Sequence, residues 1–191
     1  VATPLKVIKK ARISSFDKVG VIGAGGGLGI HMLKMLKLNN IPAIGIDTKT
    51  EKFNTCNENG AEFSVSPMEN DLKNKIADFS KSNDLDVVID FVSSKSSLEL
   101  GCSILGKGGR LVTLGGSGEQ FLANSADMLV KELELIGSRY CTKQELKESL
   151  DLYARGLIEP LVSVKTDFDG AEGLHDKIEK GEITGRAGIL I

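Results

Sequence analysis

The chain has 191 residues, enough for one full domain and too few for two large ones, and its 24 basic and 26 acidic residues leave a formal charge of -2. No basic stripe indicates nucleic-acid binding, and no apolar run reaches the roughly 18 residues that cross a membrane. The three cysteines are far apart and form no paired framework, so we expect a soluble protein of a reducing compartment, the cytoplasm.

Hydrophobic periodicity and breaker residues predict helices and strands that alternate along the chain. After an opening helix that ends near residue 14, the predicted strands are 19–22, 43–46, 63–66, 87–92, 111–114 and 133–137. One predicted helix follows the first glycines and ends near residue 38, and the others occupy 51–59, 67–79, 94–105, 144–155 and 171–180. An extended stretch is predicted at 160–164 and a closing strand at 187–191. Six alternating strands imply an α/β fold, a doubly wound (Rossmann) six-stranded parallel sheet with helices on both faces.

The turn after the first predicted strand is dense in glycine, with the sequence Gly-Ala-Gly-Gly-Gly-Leu-Gly at residues 23–29. Glycine tolerates positive φ and lets the backbone approach a ligand, and the first N–H groups of the following helix are free to bind an anion such as a pyrophosphate. A strict G-x-G-x-x-G fails because Leu28 stands at the third glycine position. Gly23, Gly26 and Gly29 instead give G-x-x-G-x-x-G, and Gly29 falls on the helix face that packs against the strands.

Two other glycine templates fit the same turn. The G-x-x-x-G-x-G of short-chain dehydrogenases requires a Tyr-x-x-x-Lys pair elsewhere, and Lys143 follows Tyr140 one residue too early. The G-x-G-x-G of methyltransferases fits from Gly23 to Gly27, but the acidic residue expected just before it is absent. A turn that binds nothing is the remaining alternative, and the strand and helix predicted on either side argue against it.

An acidic residue lies at the carboxyl end of the second predicted strand. Asp47 follows Gly29 by eighteen residues, where a dinucleotide-binding βαβ unit places a carboxylate on the adenosine ribose. A carboxylate there repels a 2′-phosphate, so NAD is predicted in preference to NADP; a solvated loop aspartate is the alternative. Asp47 and the strand ends at Gly23, Val92 and Gly115 are predicted to converge on one crevice, and the glycine stretch 115–118 is a second place of close backbone approach.

Seven segments follow one another in an informative order. They are residues 23–29, Gly45-Ile-Asp47, Gly60-Ala-Glu62, Asp86-Val-Val-Ile-Asp90, Gly108-Gly-Arg-Leu-Val112, Gly137-Ser138 and Ala154-Arg-Gly-Leu-Ile158. In this order they resemble the cofactor-binding half of medium-chain, zinc-type alcohol dehydrogenases, over essentially the whole chain. The resemblance implies NAD as cofactor, hydride transfer between an alcohol and an aldehyde or ketone, a small alcohol or carbonyl substrate, and a homo-oligomeric parent enzyme.

The resemblance also implies roles for individual residues. Asp47 resembles the family's ribose-binding acid and Lys52 its second ribose contact, while Arg186 resembles the arginine that reaches the pyrophosphate. Thr3 resembles a threonine beside the nicotinamide, and residues 114–115 resemble the strand end whose backbone meets the carboxamide. The predicted cofactor-binding residues are therefore Thr3, Gly23, Gly26, Gly27, Leu28, Gly29, Asp47, Lys52, Val92, Leu114, Gly115 and Arg186.

The family's catalytic half, with its zinc ligands and proton relay, has no counterpart in this sequence. His31 and His175 have the wrong spacing for a metal, so we predict no catalytic residue and no metal ligand, with zinc expected only in an absent domain. We expect a fragment that binds cofactor without catalysis, with an NAD-binding domain at 1–160 and a segment at 161–191 that resembles the return to the catalytic domain. A zinc-free quinone or enone reductase, which Asp47 argues against, and a non-catalytic NAD-sensing module are the alternatives.

Overall fold

A six-stranded parallel sheet runs through the centre of the computed structural model, which describes residues 1–82, 84–116 and 118–191. Its strands are β1 (Val19–Ile22), β2 (Ala43–Ile46), β3 (Ser64–Val65), β4 (Leu85–Asp90), β5 (Leu105–Thr113) and β6 (Glu134–Gly137). Their order across the sheet is β3-β2-β1-β4-β5-β6, and every neighbouring pair is parallel. The predicted doubly wound fold is confirmed, and the strand order reverses between β1 and β4, where such sheets bind ligands.

Helices cover both faces of this sheet. The helices of the described residues are α1 (Ala2–Lys10), α2 (Gly27–Leu38), α3 (Phe53–Glu58), α4 (Leu72–Ser80), α5 (Lys95–Ser103), α6 (Ser125–Lys131), α7 (Lys143–Ala154) and α8 (Ala171–Glu179), with a 3-10 turn at Thr50–Lys52. Val21 of β1 packs on one face with Ile30 of α2, and Ile22 packs on the other face with Ile76 of α4. Because both faces are buried, β1 and β2 are apolar or glycine at every position.

Two predicted boundaries are wrong, and local side-chain bonds explain both. The fourth strand was expected to reach Val92, but it ends at Asp90, whose Oδ1 accepts N–H bonds from Val92 (2.8 Å) and Ser93 (2.9 Å) and so turns the chain. A helix was expected from Pro67, but α4 begins at Leu72. The Ser66 Oγ accepts from the N–H of residue 68 at 3.2 Å and holds a turn there instead.

The fifth strand and the helix after it also differ from expectation. β5 begins at Leu105 instead of residue 111, and its pairing with β4 shifts register so that residues 106–109 stand opposite the single residue Asp86. Gly106 and Gly108 therefore lie inside the strand, where Gly108 has a φ of +71°. The helix α6 was not predicted, although Asn124 caps it by accepting the N–H of residue 126 at 2.9 Å.

The end of the chain forms a second, two-stranded parallel sheet of β7 (Val162–Thr166) and β8 (Arg186–Ile189), with α8 between the strands. The closing strand thus begins and ends earlier than the predicted 187–191. This small sheet joins the large one next to the glycine turn, where the Gly185 N–H donates to the Gly25 carbonyl at 3.2 Å. Among the described residues, no helix combines the length and apolar character that crossing a membrane requires.

Candidate functional site

A cavity of about 670 Å³ lies over the carboxyl ends of β1, β2 and β4, at the point where the strand order reverses. Sequence reasoning placed twelve residues at a cofactor site, and nine of them line this one cavity. These nine are Gly23, Gly26, Gly27, Leu28, Gly29, Asp47, Lys52, Val92 and Arg186. The cavity therefore gathers residues from the glycine turn, the end of β2, the end of β4 and the start of β8.

Three glycines of the turn have three different reasons to lack a side chain. Gly23 has a φ of +75°, a conformation that side chains rarely adopt. A Cβ on Gly29 would lie 2.2 Å from the Gly23 carbonyl oxygen, so α2 can pack on β1 only if this residue is glycine. A Cβ on Gly26 would meet one atom within 4 Å, the same oxygen at 3.2 Å, and so the open space in front of Gly26 belongs to the cavity.

The beginning of α2 forms a positively polarised corner of the cavity. Gly26 is the N-cap residue, and as a glycine it has no side chain that could cap the helix. The first N–H groups of α2 therefore point outward with the positive end of the helix dipole behind them. The Arg186 side chain lies against this end, because a Cβ on Gly27 would be 2.8 Å from the Arg186 Nε. Backbone donors and a guanidinium that meet at one point fit a diphosphate group.

Asp47 presents a fixed carboxylate beside that corner. Its Oδ2 accepts the N–H of Gly25 at 2.8 Å and its Oδ1 accepts the N–H of Lys49 at 3.0 Å, and the residue is half-buried at the cavity wall. Each carboxylate oxygen can accept a further hydrogen bond. The side chain is thus held in one orientation and still able to receive hydroxyl groups from a ligand.

Lys52 has a partner that its place in the sequence does not indicate. The side chain is buried, its stem lies against Gly25, and its Nζ donates to the Ile183 carbonyl at 2.9 Å. The ammonium group therefore binds the segment that leads to β8. Lys52 lines the cavity, and its contact with a ribose stays a prediction.

One wall of the cavity was missed by sequence reasoning. It consists of Pro67 and Met68 after β3, Phe91 after β4, and four residues at the beginning of α5, which are Ser94, Ser96, Ser97 and Leu100. Met68 is 83% exposed, so an apolar surface faces solvent there. All of these residues follow the carboxyl ends of strands, and that position in a doubly wound sheet is the signal that could have identified them.

Three predicted residues, Thr3, Leu114 and Gly115, do not line the cavity. Gly115 lies next to its wall, since its N–H donates to the Ser93 Oγ at 2.8 Å and an added Cβ would stand 2.6 Å from the Val92 carbonyl oxygen. Leu114 is half-buried against the core, and Thr3 is half-buried in α1. Residue 117 of the predicted second glycine stretch lies outside the described residues.

The ionisable groups near the cavity show no metal centre. Within 1–82, 84–116 and 118–191, no three His, Cys, Asp or Glu side chains are grouped as a metal site would require. Burial raises the pKa of the Cys56 thiol to about 11, so this cysteine stays protonated and unreactive at neutral pH. The expectation that the chain holds no zinc of its own stays a prediction.

Comparison with known proteins connects this geometry to one family. The family model described as zinc-binding dehydrogenase matches residues 27–155, a range that includes Asp47 and Lys52 but not Arg186. The NAD-dependent alcohol dehydrogenase of Sulfurisphaera tokodaii is 25% identical over 185 residues, covering 96% of this chain and 53% of that protein. The chain thus spans about half the length of the curated relatives it matches.

Two solved structures have the same fold over nearly the whole chain. The alcohol dehydrogenase of Aeropyrum pernix is 27% identical with a TM-score of 0.87, covering 97% of this chain and 54% of that one. The acetophenone reductase of Geotrichum candidum, solved in complex with NAD, is 29% identical with a TM-score of 0.84, covering 98% of this chain and 52% of that one. The described cavity thus lies in a domain that resembles part of each of these enzymes.

Proposed function

Because this chain belongs to the zinc-binding dehydrogenase family, we propose that it is the NAD-binding portion of an alcohol dehydrogenase-like oxidoreductase. One observation carries the proposal: the oriented carboxylate of Asp47 stands beside the uncapped beginning of α2, in a cavity at the reversal of strand order. A dinucleotide requires this combination, since it carries a diphosphate and an adenosine ribose a few ångströms apart.

Each part of the cavity has a proposed task in holding the cofactor. The N–H groups of Gly27 and Leu28 donate to the diphosphate and Arg186 neutralises its charge. The carboxylate of Asp47 accepts from the ribose hydroxyls, and the apolar wall with Met68 covers the adenine. Support for this arrangement comes from the open space in front of Gly26, which leaves the backbone accessible.

The reaction of the whole protein is a further proposal. Bound NAD supplies a hydride acceptor, and the resemblance implies a small alcohol or carbonyl substrate, zinc held outside this chain, and a homo-oligomeric parent. The three scattered cysteines favour the cytoplasm as its location. We propose that residues 161–191 form the segment that returns to a catalytic domain and that residues 1–160 are the cofactor domain. The chain by itself is then expected to bind cofactor and to produce no NADH from alcohols.

Titration calorimetry with NAD and NADP tests the cofactor assignment. NAD should bind the chain more tightly than NADP, because the Asp47 carboxylate bonds the ribose hydroxyls and repels a 2′-phosphate. Asp47→Ser should weaken NAD binding by about tenfold to a hundredfold, the range expected when a hydrogen bond to a charged group is lost. The difference in affinity between NAD and NADP should become smaller in the same variant.

The matched control is Asp78→Ser, the same substitution at an exposed aspartate of α4 away from the cavity. This variant should bind both cofactors as the unmodified chain does. Equal or tighter binding of NADP by the unmodified chain would overturn the role given to Asp47.

A further inference from the structure

A buried histidine lies between the glycine turn and the small sheet, where the proposed cofactor contacts do not use it. His31 belongs to α2, one turn after Gly27, and only 2% of its surface is exposed. Its Nδ1 is 2.6 Å from the Gly27 carbonyl oxygen, and its Nε2 is 3.1 Å from the backbone nitrogen of Leu161. Because a carbonyl can only accept and an N–H can only donate, Nδ1 carries the proton and Nε2 accepts, which makes the imidazole neutral.

The bonds of His31 continue to the arginine of the cavity. The Leu161 N–H donates to His31, and the Leu161 carbonyl accepts the N–H of Arg186 at 2.9 Å. The Arg186 side chain then returns to the beginning of α2, where it lies against Gly27. A closed path of contacts therefore runs from Gly27 through the imidazole, Leu161 and Arg186 back to Gly27.

We propose that His31 is a positioning residue for the cofactor diphosphate, acting by holding Leu161 and through it the Arg186 guanidinium at the beginning of α2. The inference rests on the proposed function, since it assumes that a diphosphate occupies this corner. The role requires an acceptor at the position of Nε2. A leucine of similar volume fills the space without accepting the Leu161 N–H, whereas a glutamine carries an amide oxygen that can accept it.

The charges around His31 favour its neutral form. Lys34 on α2 and Arg186 on β8 act on it, and both are cations. Burial is the largest cause that lowers the pKa of His31, and these cations lower it further. The hydrogen bond to the Gly27 carbonyl acts in the opposite direction. The neutral imidazole is therefore present at and above the ordinary pKa of about 6.5, and it is lost as the pH falls through the lower value of the folded chain.

The test measures NAD affinity of the 191-residue chain by calorimetry at pH 7.5, with circular dichroism to verify folding. His31→Leu should weaken NAD binding by about tenfold, the equivalent of one lost hydrogen bond, and His31→Gln should stay within about threefold of the unmodified chain. In an Arg186→Met background, His31→Leu should cause no further loss, because its effect passes through the arginine. His175→Leu, the same change at an exposed histidine of α8, should bind NAD normally.

A pH profile separates positioning from packing. NAD affinity of the unmodified chain should fall as acidification passes through the lowered pKa of His31, whereas His31→Gln, which cannot ionise, should lack this component. Unchanged affinity in His31→Leu, or an equal loss in the Arg186→Met background, would overturn the inference while the proposed function stands. An unmodified chain that binds no NAD at any pH would overturn the proposed function and this inference with it.

Hydrogen exchange at the Leu161 amide tests the bond between Leu161 and His31 without any cofactor. Exchange at this amide should be faster in His31→Leu than in His31→Gln.

Discussion

The two sheets of this molecule are stabilised in different ways. In the large sheet, β1 and β2 are buried along their whole length and lie beneath helices on both faces. In the small sheet, no residue of β7 or β8 is buried, and a two-stranded sheet is at best marginally stable by itself in water. Polar contacts connect this region to the glycine turn and to residues beside it, as between Gly185 and Gly25, Ile183 and Lys52, and Leu161 and His31. The Leu161 side chain also packs against the core.

This difference divides the candidate site into two parts. The rigid part is the glycine turn with Asp47, and the conditional part is Arg186 with the contacts that hold it in place. The glycine turn and Asp47 are ends of core strands, so their geometry persists as long as the core does. Arg186 begins β8, and its position depends on the contacts that hold the small sheet to α2 and the glycine turn. Substitutions in the turn should therefore affect the whole fold or the bound ligand, whereas substitutions in the polar contacts should loosen only the end of the chain.

The largest effect is expected from Gly29→Ala. Its new methyl group would lie 2.2 Å from the Gly23 carbonyl oxygen and 2.5 Å from that of Ala24, and backbone atoms cannot move aside without separating α2 from β1. We expect a loss of about 3 kcal/mol in the free energy of unfolding, the upper range for overpacking a core. Chemical denaturation followed by circular dichroism measures it.

Gly173→Ala is the matched control for Gly29→Ala. Gly173 lies inside α8, and a Cβ there has no neighbour within 4 Å. Alanine is a better helix former than glycine by about 1 kcal/mol, so this variant should be as stable as the unmodified chain or more stable. Similar denaturation midpoints for the two variants would contradict the close packing of α2 on β1.

A smaller effect on the fold, with a large effect on the ligand, is expected from Gly26→Val. Gly26 has an extended backbone, with φ of -76° and ψ of 170°, which a β-branched residue adopts easily. Its side chain would enter the space proposed for the diphosphate, so NAD binding should be lost while the unfolding transition changes little. Gly137→Val, at a glycine of β6 with no atom near its Cβ, should leave NAD binding intact. Unchanged NAD affinity in Gly26→Val would mean that a phosphate binds elsewhere.

The rigid part of the site is also the part that could be predicted from the sequence. The glycines of the turn and Asp47 follow short apolar strands, and the rule that parallel strands end at one edge of the sheet brings them together. The number and order of the six strands follow from local periodicity in the same way, although the start of β5 and the end of β4 do not. The same rule could have added Met68 to the predicted site, because Met68 also lies after the end of a strand.

The conditional part depends on contacts that no local pattern contains. Lys52 bonds a carbonyl 131 residues later in the chain, and His31 bonds an N–H 130 residues later. Each partner is a backbone group, which any residue type provides, so the sequence carries no mark of the pairing. His31 could be recognised as a helix residue of low metal-binding potential, but its contact with Leu161 could be found only in the structure.

The smallest effect is expected from Lys52→Met, which tests the connection between the two sheets directly. Methionine retains the apolar stem that packs on Gly25 but removes the ammonium group, so the Ile183 carbonyl loses its donor in a buried place. We expect a loss of about 1.5 kcal/mol, the lower end of the range for a hydrogen bond from a charged group, confined to residues 181–189. Hydrogen exchange should be faster in β8 and unchanged in β1 and β4, because the large sheet does not depend on this bond.

The matched control is Lys73→Met, at an exposed lysine of α4, which should change hydrogen exchange in neither region. Faster exchange throughout the large sheet of Lys52→Met would mean that the two sheets unfold as one unit, and that the polar contacts at the glycine turn are part of the core's own stability.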